Sequence, residues 1–541
     1  MAGQGSASWG LESLLSRSLY ALAPVLAALL LGQIYRRQRK IWLIEQLPGP
    51  KGLPLVGNLL HMWVDHEELF RRLCKICDLG NVARFWVGSK PYCIVSSARA
   101  VETILSSSKH IDKSWDYTLF RPWLGEGLVT SSGVKWHTHR KMLTPAFHFK
   151  ILEDFVEVFT AQAETLVEKL KTKADGRPFD IYNDITLCAL DIICETAMGR
   201  SINAQRNSES DIALRPVRLD PTSTPYRQDG RTLIQFRQFR PWLHSDFAFR
   251  LSSYGREQEK CLRRHRTPHA RIRYVPGQKP RQAFLDLLLE YSEKDPTTTD
   301  EDIRDEVNTF MFAGHDTTSA AMNWFLYAMG SHPDAQERVF EEIEAVLRGS
   351  GGAPSASDLR EMKYLELCLK ETLRLFPPIP VIIRELKEDA VINNYSIPAG
   401  TSVVIHVYRL HHDPEQFPDP EAFDPDRFLP QNSTRRHSYA YVPFSAGPRN
   451  CIAKPKVLFL LDPKTATSAS AFSFPPAGQK FSLLEMKAIL CSILRRFRVE
   501  SVVPRKDLKL LAELILLPKG GNLVRLFPRA GGDGGQRGGG S

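Results

Sequence analysis

Apolar and polar positions along this chain follow two rhythms and one unbroken run. Residues 19–31 are apolar throughout, and the run extends through Gly32 and Gln33 to Tyr35. From 67 to about 350 apolar residues recur at i, i+3, i+4, the spacing of one helix face. Phe155, Val156, Val158 and Phe159 lead on through Leu166 to Leu170, and a second such stretch runs from Ile303 to Leu326. Runs rich in β-branched and aromatic residues at 82–87, 91–95 and 401–405 predict short strands. Many helices, a few small sheets and no repeating βα alternation predict one large domain, mainly α with small β-sheets, preceded by an N-terminal transmembrane helix. The expected divisions are 1–46 (anchor and basic flank), 47–58 (Pro/Gly-rich hinge), 59–529 (the domain) and 530–541, a Gly-rich tail predicted to be disordered.

Crossing a bilayer takes about 20 apolar residues, about 17 at the lower end, so the first run sits near the limit. No small-residue cleavage site follows it, and Arg36, Arg37, Arg39 and Lys40 do. That cluster outweighs the lone Arg17 on the other flank and belongs on the cytoplasmic side. The expected topology is a single anchor with a lumenal start and a cytosolic body. The prolines at 48, 50 and 54 fix φ and remove donors, which makes the connector stiff and non-helical.

Composition narrows the function classes. An apolar share of 43% suits a packed globular protein. The nine cysteines stand singly apart from Cys74/Cys77 and Cys188/Cys194, which is neither a disulfide framework nor zinc spacing. The net charge of +10 comes from dispersed Lys and Arg, without a basic stretch interleaved with aromatics. Nucleic acid is therefore excluded as a partner, and anionic membrane or an acidic protein surface fits better.

Four constellations carry candidate chemistry. In Phe444-Ser445-Ala446-Gly447-Pro448-Arg449-Asn450-Cys451, Gly447 permits a turn that a side chain would block, and Arg449 suits an anionic partner. Phe444 can screen the sulfur from water. Glu371 and Arg374 lie at i, i+3 on a predicted helix, where opposite charges pair. Asp424-Pro425-Asp426-Arg427-Phe428 follows them in the chain. Phe312-Ala313-Gly314-His315-Asp316-Thr317-Thr318 puts a glycine inside a helix at a cost of roughly 1 kcal/mol. That glycine fits either a polar kink or a backbone approached closely by a cofactor. Asp316 and Thr317 add a carboxylate and a hydroxyl able to pass protons. Trp136 and Arg140 share a helix face at i, i+4, with His137 and His139 between them expected to face solvent.

Taken in this order, the strings resemble the haem-thiolate monooxygenases of the cytochrome P-450 superfamily. The resemblance implies a haem b cofactor with Cys451 as the axial iron ligand, a thiolate that favours O–O cleavage. It assigns proton delivery to Thr317 and Asp316, and the pairing of Glu371 and Arg374 with Arg427 to support of the cysteine loop. Trp136, Arg140, Arg384 and Arg449 would meet the haem propionates, with Phe444 and Gly314 completing the cofactor site. Longer strings are similar to family 4, which hydroxylates fatty acids at or near the chain end. Among them are Arg121-Pro122-Trp123-Leu124-Gly125-Glu126-Gly127-Leu128 and 140–149. The stretch 253–262 is most like subfamily V. The implied partners are an NADPH-cytochrome reductase, a fatty-acid-like substrate and the endoplasmic reticulum membrane. Retained Asp316 and Thr317 argue against a haem-thiolate isomerase or dehydratase, which has no need of dioxygen.

The chain departs from the family pattern in three places. Ala313 stands where many family-4 members carry a glutamate esterified to haem. Between 211 and 281, Arg- and Pro-rich sequence replaces amphipathic helices, and Pro in a helix interior costs about 3 kcal/mol. The block 453–477 separates Cys451-Ile452 from Gly478-Gln479-Lys480-Phe481, and removing it restores the pattern. An unstructured loop of that length is uncommon in a compact domain, and an in-frame retained intron explains it simply. If the block belongs to the protein, the alternative is a catalytically impaired haem-binding or haem-free chain. For the first departure the expected outcome is non-covalent haem. Acidified organic solvent should strip the haem intact, and haem left on the polypeptide would count against this reading.

Overall fold

The computed structural model describes residues 6–147, 149–206, 237–259, 284–295, 297–348, 353–452 and 480–529. Most of the irregular 211–281 region, the 453–477 block and the 530–541 tail lie outside the described residues.

The predicted helix at 303–326 is the long central helix α6 (Asp300–Ser331). A capping box starts it: Thr299 accepts from the Asp302 N–H while the Asp302 carboxylate accepts from the Thr299 N–H. Its second half is buried on every side, from Ala320 to Met329. A helix apolar all round is a core helix. Around it pack α4 (Phe149–Lys171), α5 (Tyr182–Met198), α7 (Pro333–Leu347), α8 (Lys363–Leu375) and α9 (Lys480–Arg496), which share one apolar core. α1 (Ser6–Glu45), α2 (Ala98–Leu105) and α3 (Gly133–Leu143) precede them.

The three predicted strands appear as β1 (Val82–Val87), β2 (Lys90–Val95) and β7 (Ser402–Ile405). With β4 (Ile382–Glu385) they form a four-stranded sheet in the order β1-β2-β7-β4. Only the β2–β7 pair in it is parallel, Cys93 lying opposite Val403. β3 (Phe179–Asp180), β8 (Phe497–Ser501) and β11 (Leu523–Pro528) make a second sheet. β5 (Ala390–Ile392) with β6 (Tyr395–Ile397), and β9 (Leu510–Ala512) with β10 (Leu516–Pro518), are hairpins. The mainly α fold with small sheets is as expected.

No helix among the described residues is long and apolar enough to cross a membrane. The 19–31 run lies within α1, whose last turn is docked on the body. Ile44 and Leu47 join the core beside Val82, Trp86 and Val95. Glu45 pairs with Arg84 at 2.6 Å, Arg39 with Asp389 at 2.8 Å, and Lys40 donates to the Gly400 carbonyl.

The core also encloses a carboxyl. Glu485 on α9 is 1% exposed, and Thr318 Oγ1 stands 3.2 Å from its Oε1. Burial pushes this carboxyl from an ordinary value near 4.5 up to about 8. The folded value exceeds the unfolded one, so its stability contribution is complete below about 4.5 and is lost as pH rises through about 8. Glu485→Gln is expected to match the parent in acid and to be more stable near pH 9, by on the order of a few kcal/mol. Denaturant unfolding at both pH values checks this, and parallel pH profiles for the two proteins would sink it.

Candidate active site

The site is held from below by α8. Glu371 and Arg374 are both fully buried and paired through two parallel bonds, Nε to Oε2 at 2.8 Å and Nη2 to Oε1 at 2.7 Å. Arg374 Nη1 also donates to the carbonyls of His411 and Pro420, and Nη2 to that of Ala422. Arg427 Nε approaches Glu371 Oε1 at 3.4 Å, and the Asp424 N–H donates to the same oxygen at 2.9 Å. The three charges expected to meet do so.

From this pair a line of bonds runs to the cysteine. Burial pushes the His411 imidazole down to about 3, so the ring is neutral and Nε2 accepts the Val442 N–H at 2.9 Å. Tyr441 Oη donates to the Lys370 carbonyl on α8. The Val442 carbonyl then accepts from Ser445, and the Phe444 carbonyl accepts from the Cys451 N–H at 2.9 Å. Phe444 and Cys451, both partly buried, pack against the helical core. Gly447 has φ +70, and a Cβ there would stand 1.7 Å from the Leu105 carbonyl oxygen at the end of α2. The turn that the sequence anticipated is thus forced by a neighbouring backbone.

α3 closes the other side of the loop. Arg140 donates to Asn450 through both Nη groups, at 2.8 and 2.9 Å, and reaches the Cys451 carbonyl at 3.5 Å. Arg140 therefore braces the loop itself, and its Nε is left buried with no partner among the described residues. Trp136 is buried, with the Arg449 guanidinium 4.9 Å from its ring centroid. His137 faces solvent as expected, but His139 does not. His139 is buried and lies 2.6 Å from Glu306, an acid from α6 that sequence spacing gave no means of pairing with it.

On α6 the half-buried Ala313 and Thr317 share a face, and the Thr317 hydroxyl donates to the Ala313 carbonyl at 2.8 Å. Asp316, next to Thr317, is 1% exposed. Gly314 is explained by helix packing rather than by a cofactor: a Cβ there would meet Ile193 of α5 at 2.6 Å.

Residues 47–455 match the family model described as Cytochrome P450. The chain belongs to the cytochrome P450 family. It is similar to cytochrome P450 4c3 of Drosophila melanogaster, 42% identical over 524 residues and covering 91% of each chain. It is 40% identical to cytochrome P450 4V2 of Mus musculus over 557 residues (98% of each chain), and 40% identical to that of Homo sapiens over 546 residues (96% of each). This P450 is accordingly a monooxygenase of family 4, an oxidoreductase, and its family implies haem.

The residues present fit such a group. Haem carries two carboxylates at one edge, which call for cations or N–H donors. Burial, followed by the charge of Arg384, pushes Arg449 down to about 9. Arg449 is 8% exposed and donates to the Ser131 carbonyl, and its Nε has no partner among the described residues. Arg384 on β4 is 2% exposed and leaves Nη1 likewise without one. Lys113, paired across a β-bridge with Arg384, lies with its ammonium 4.1 Å from the Tyr117 ring centroid. Burial, then Arg384 and Arg449, hold Lys113 well below the usual lysine range. Tyr117 and then Asp112 act on Arg384 and Arg449 against the effect of burial, and Lys387 already pairs with Asp112 at 3.4 Å. Three cations with so little opposing charge suit a dianionic edge, with Cys451 supplying the sulfur. The sequence reading missed Lys113, Tyr117 and His411. Only the fold, through the β4 bridge and the 411–442 bond, brings them to the site.

Replacing Arg374 by alanine would strand the Glu371 charge, a change worth about 3–5 kcal/mol in buried pairs. Arg374→Lys is expected to recover little, because an ammonium cannot reproduce five fixed donors. Haem-to-protein ratio and denaturant unfolding of both variants check this, and a Lys variant as stable as the parent would contradict the bidentate role.

Proposed function

We propose that this P450 hydroxylates fatty-acyl chains at or near the terminal carbon. One atom of dioxygen enters a C–H bond and the other leaves as water, with two electrons from NADPH through a membrane cytochrome reductase and two protons. The observation that carries the reading is the presence of Asp316 and Thr317 side by side on α6 in a chain whose relatives are family-4 enzymes. Bound haem with a cysteinate ligand supplies the O–O cleavage chemistry. Thr317 and Asp316 would hold and pass protons, Arg449, Arg384 and Lys113 would hold the propionates, and Arg140 with the Glu371/Arg374/Arg427 set keeps the cysteine loop in place. The haem is non-covalent, since Ala313 offers no carboxylate.

The proposed location is the endoplasmic reticulum membrane, spanned once, with the catalytic body in the cytosol. Support comes from α1, whose Leu29, Leu30, Leu31 and Trp42 are exposed, and from a second apolar patch on the body. Trp63 and Trp242 on the body are exposed and their ring centroids lie 5.7 Å apart, and Leu55, Phe247 and Leu251 are exposed as well. Apolar area of this kind on a soluble surface marks an interaction site.

A second reading is favoured by one observation: the 453–477 block begins two residues after Cys451. With the block present, the start of α9 is displaced in the chain from the sulfur, and the protein would be a haem-binding or haem-free relative without turnover. Reduced protein under carbon monoxide separates the two. On the monooxygenase reading the full chain, like the chain lacking Ala453–Ala477, shows the absorption of intact cysteinate ligation; on the impaired reading the full chain shows a weakened or histidine-like spectrum. Cysteinate ligation in the full chain would end the impaired reading; its absence from both chains would end the monooxygenase reading.

A further inference from the structure

Two neighbouring carboxylates on α6, Asp305 and Glu306, are both buried. Neither belongs to the motifs that carry the chemistry, and each holds main chain of another segment. Asp305 Oδ2 accepts the Glu126 N–H at 2.7 Å, and Glu306 Oε2 accepts the Leu128 N–H at 3.1 Å. The other oxygen of Glu306 lies 2.6 Å from His139 Nδ1 on α3. Burial works against the Glu306 charge, and His139 and then the Leu128 N–H act in its favour. The charges nearby are already matched: Lys135 with Asp302 at 2.6 Å, Arg304 with Asp305 at 3.2 Å and Arg121 with Glu126 at 2.8 Å.

The segment these two acids hold is shaped to lie on α6. A Cβ at Gly125, which has φ +68, would collide with the Asp305 carboxyl group. One at Gly127 would collide with Thr309 Oγ1 and stand 2.7 Å from the Asp305 carbonyl oxygen. Glycine lets two backbones come this close. At the other end of the segment the Trp123 ring lies 4.8 Å from that of Phe312, the residue before Ala313. The 123–128 segment thus follows α6 from Asp305 to Phe312 and ends beside the Ala313–Thr317 face. A fully buried carboxylate is costly, and an apolar side chain would pack α3 against α6 as well or better. What Glu306 adds is a hold on α3 and on the Leu128 main chain at once.

We propose that Glu306 is a positioning residue for the reaction: joined to His139, it fixes the 123–128 segment as a wall whose distance from α6 limits the bulk that can approach the Ala313–Thr317 face. The next residue on α3, Arg140, braces the cysteine loop, so wall and loop hang from one helix. The proposal rests on chemistry taking place at that face, and it holds whether or not the substrate is a fatty acid.

Amide hydrogen exchange and isocyanide binding, both on the haem-loaded full chain, test it. n-Butyl and tert-butyl isocyanide bind haem iron directly and differ in the bulk they place beside it. The parent should prefer the straight isomer. Glu306→Ala should lose amide protection across 123–128 and cut that preference about tenfold, the scale of a small change in pocket fit. Glu306→Gln, which can still accept from Leu128 and donate to His139, should keep both. Gly127→Ala leaves Glu306 in place and pushes the segment off Thr309. It should reproduce the Glu306→Ala result, and it carries the test if Glu306→Ala takes up no haem. Unchanged protection in both alanine variants, or an isomer preference indifferent to them, would overturn the wall. A lower haem content with the parent's preference in the loaded fraction would reduce Glu306 to a stabilising pair and overturn it too. Neither measurement uses a fatty acid. A Glu306-dependent preference without terminal hydroxylation of fatty acids would therefore sink the proposed substrate and leave the wall standing.

Discussion

The Glu371–Arg374 pair is the constraint on which the site depends. Taking both charges out of water is costly, and an apolar pair of the same volume would often stabilise a core as well or better. What the ions provide is direction. Arg374 directs its remaining donors at three carbonyls between 411 and 422, and Glu371 receives the backbone at Asp424. The long segment between β7 and the cysteine loop has little secondary structure of its own, so these bonds settle its path. His411 then passes that settled position on to Val442 and the loop beyond.

Much of this was legible in the residues, and for identifiable reasons. The helix at 303–326 and the strands at 82–87, 91–95 and 401–405 have local patterns strong enough to survive packing. The cysteine loop announced itself through Gly447, although the sequence could not say that the Leu105 carbonyl is what excludes a side chain there. Glu371, Arg374 and Arg427 were found by their order along the chain, since a Glu-x-x-Arg spacing alone is common on solvated helices.

What was missed depends on contacts between distant segments. His139 sits in a run of charged and polar residues, which predicts exposure, yet its partner Glu306 comes from α6. Gly314 looked like room for a cofactor and is room for Ile193. Lys113 belongs to no motif, and its position beside Arg384 exists only because a bridge joins the 113 segment to β4. The consequence is electrical: three cations converge where the chain offers little negative charge of its own.

The docked end of α1 sets a mechanical condition on everything above it. With Ile44 in the core, Glu45 on Arg84, Arg39 on Asp389 and Lys40 on the Gly400 carbonyl, the helix is a shaft keyed to the sheet rather than a tether. The 47–58 connector leaves from that fixed end and gives the body no swivel. A tilt of α1 would therefore be carried first to the sheet and to the 389–400 segment on which its end rests.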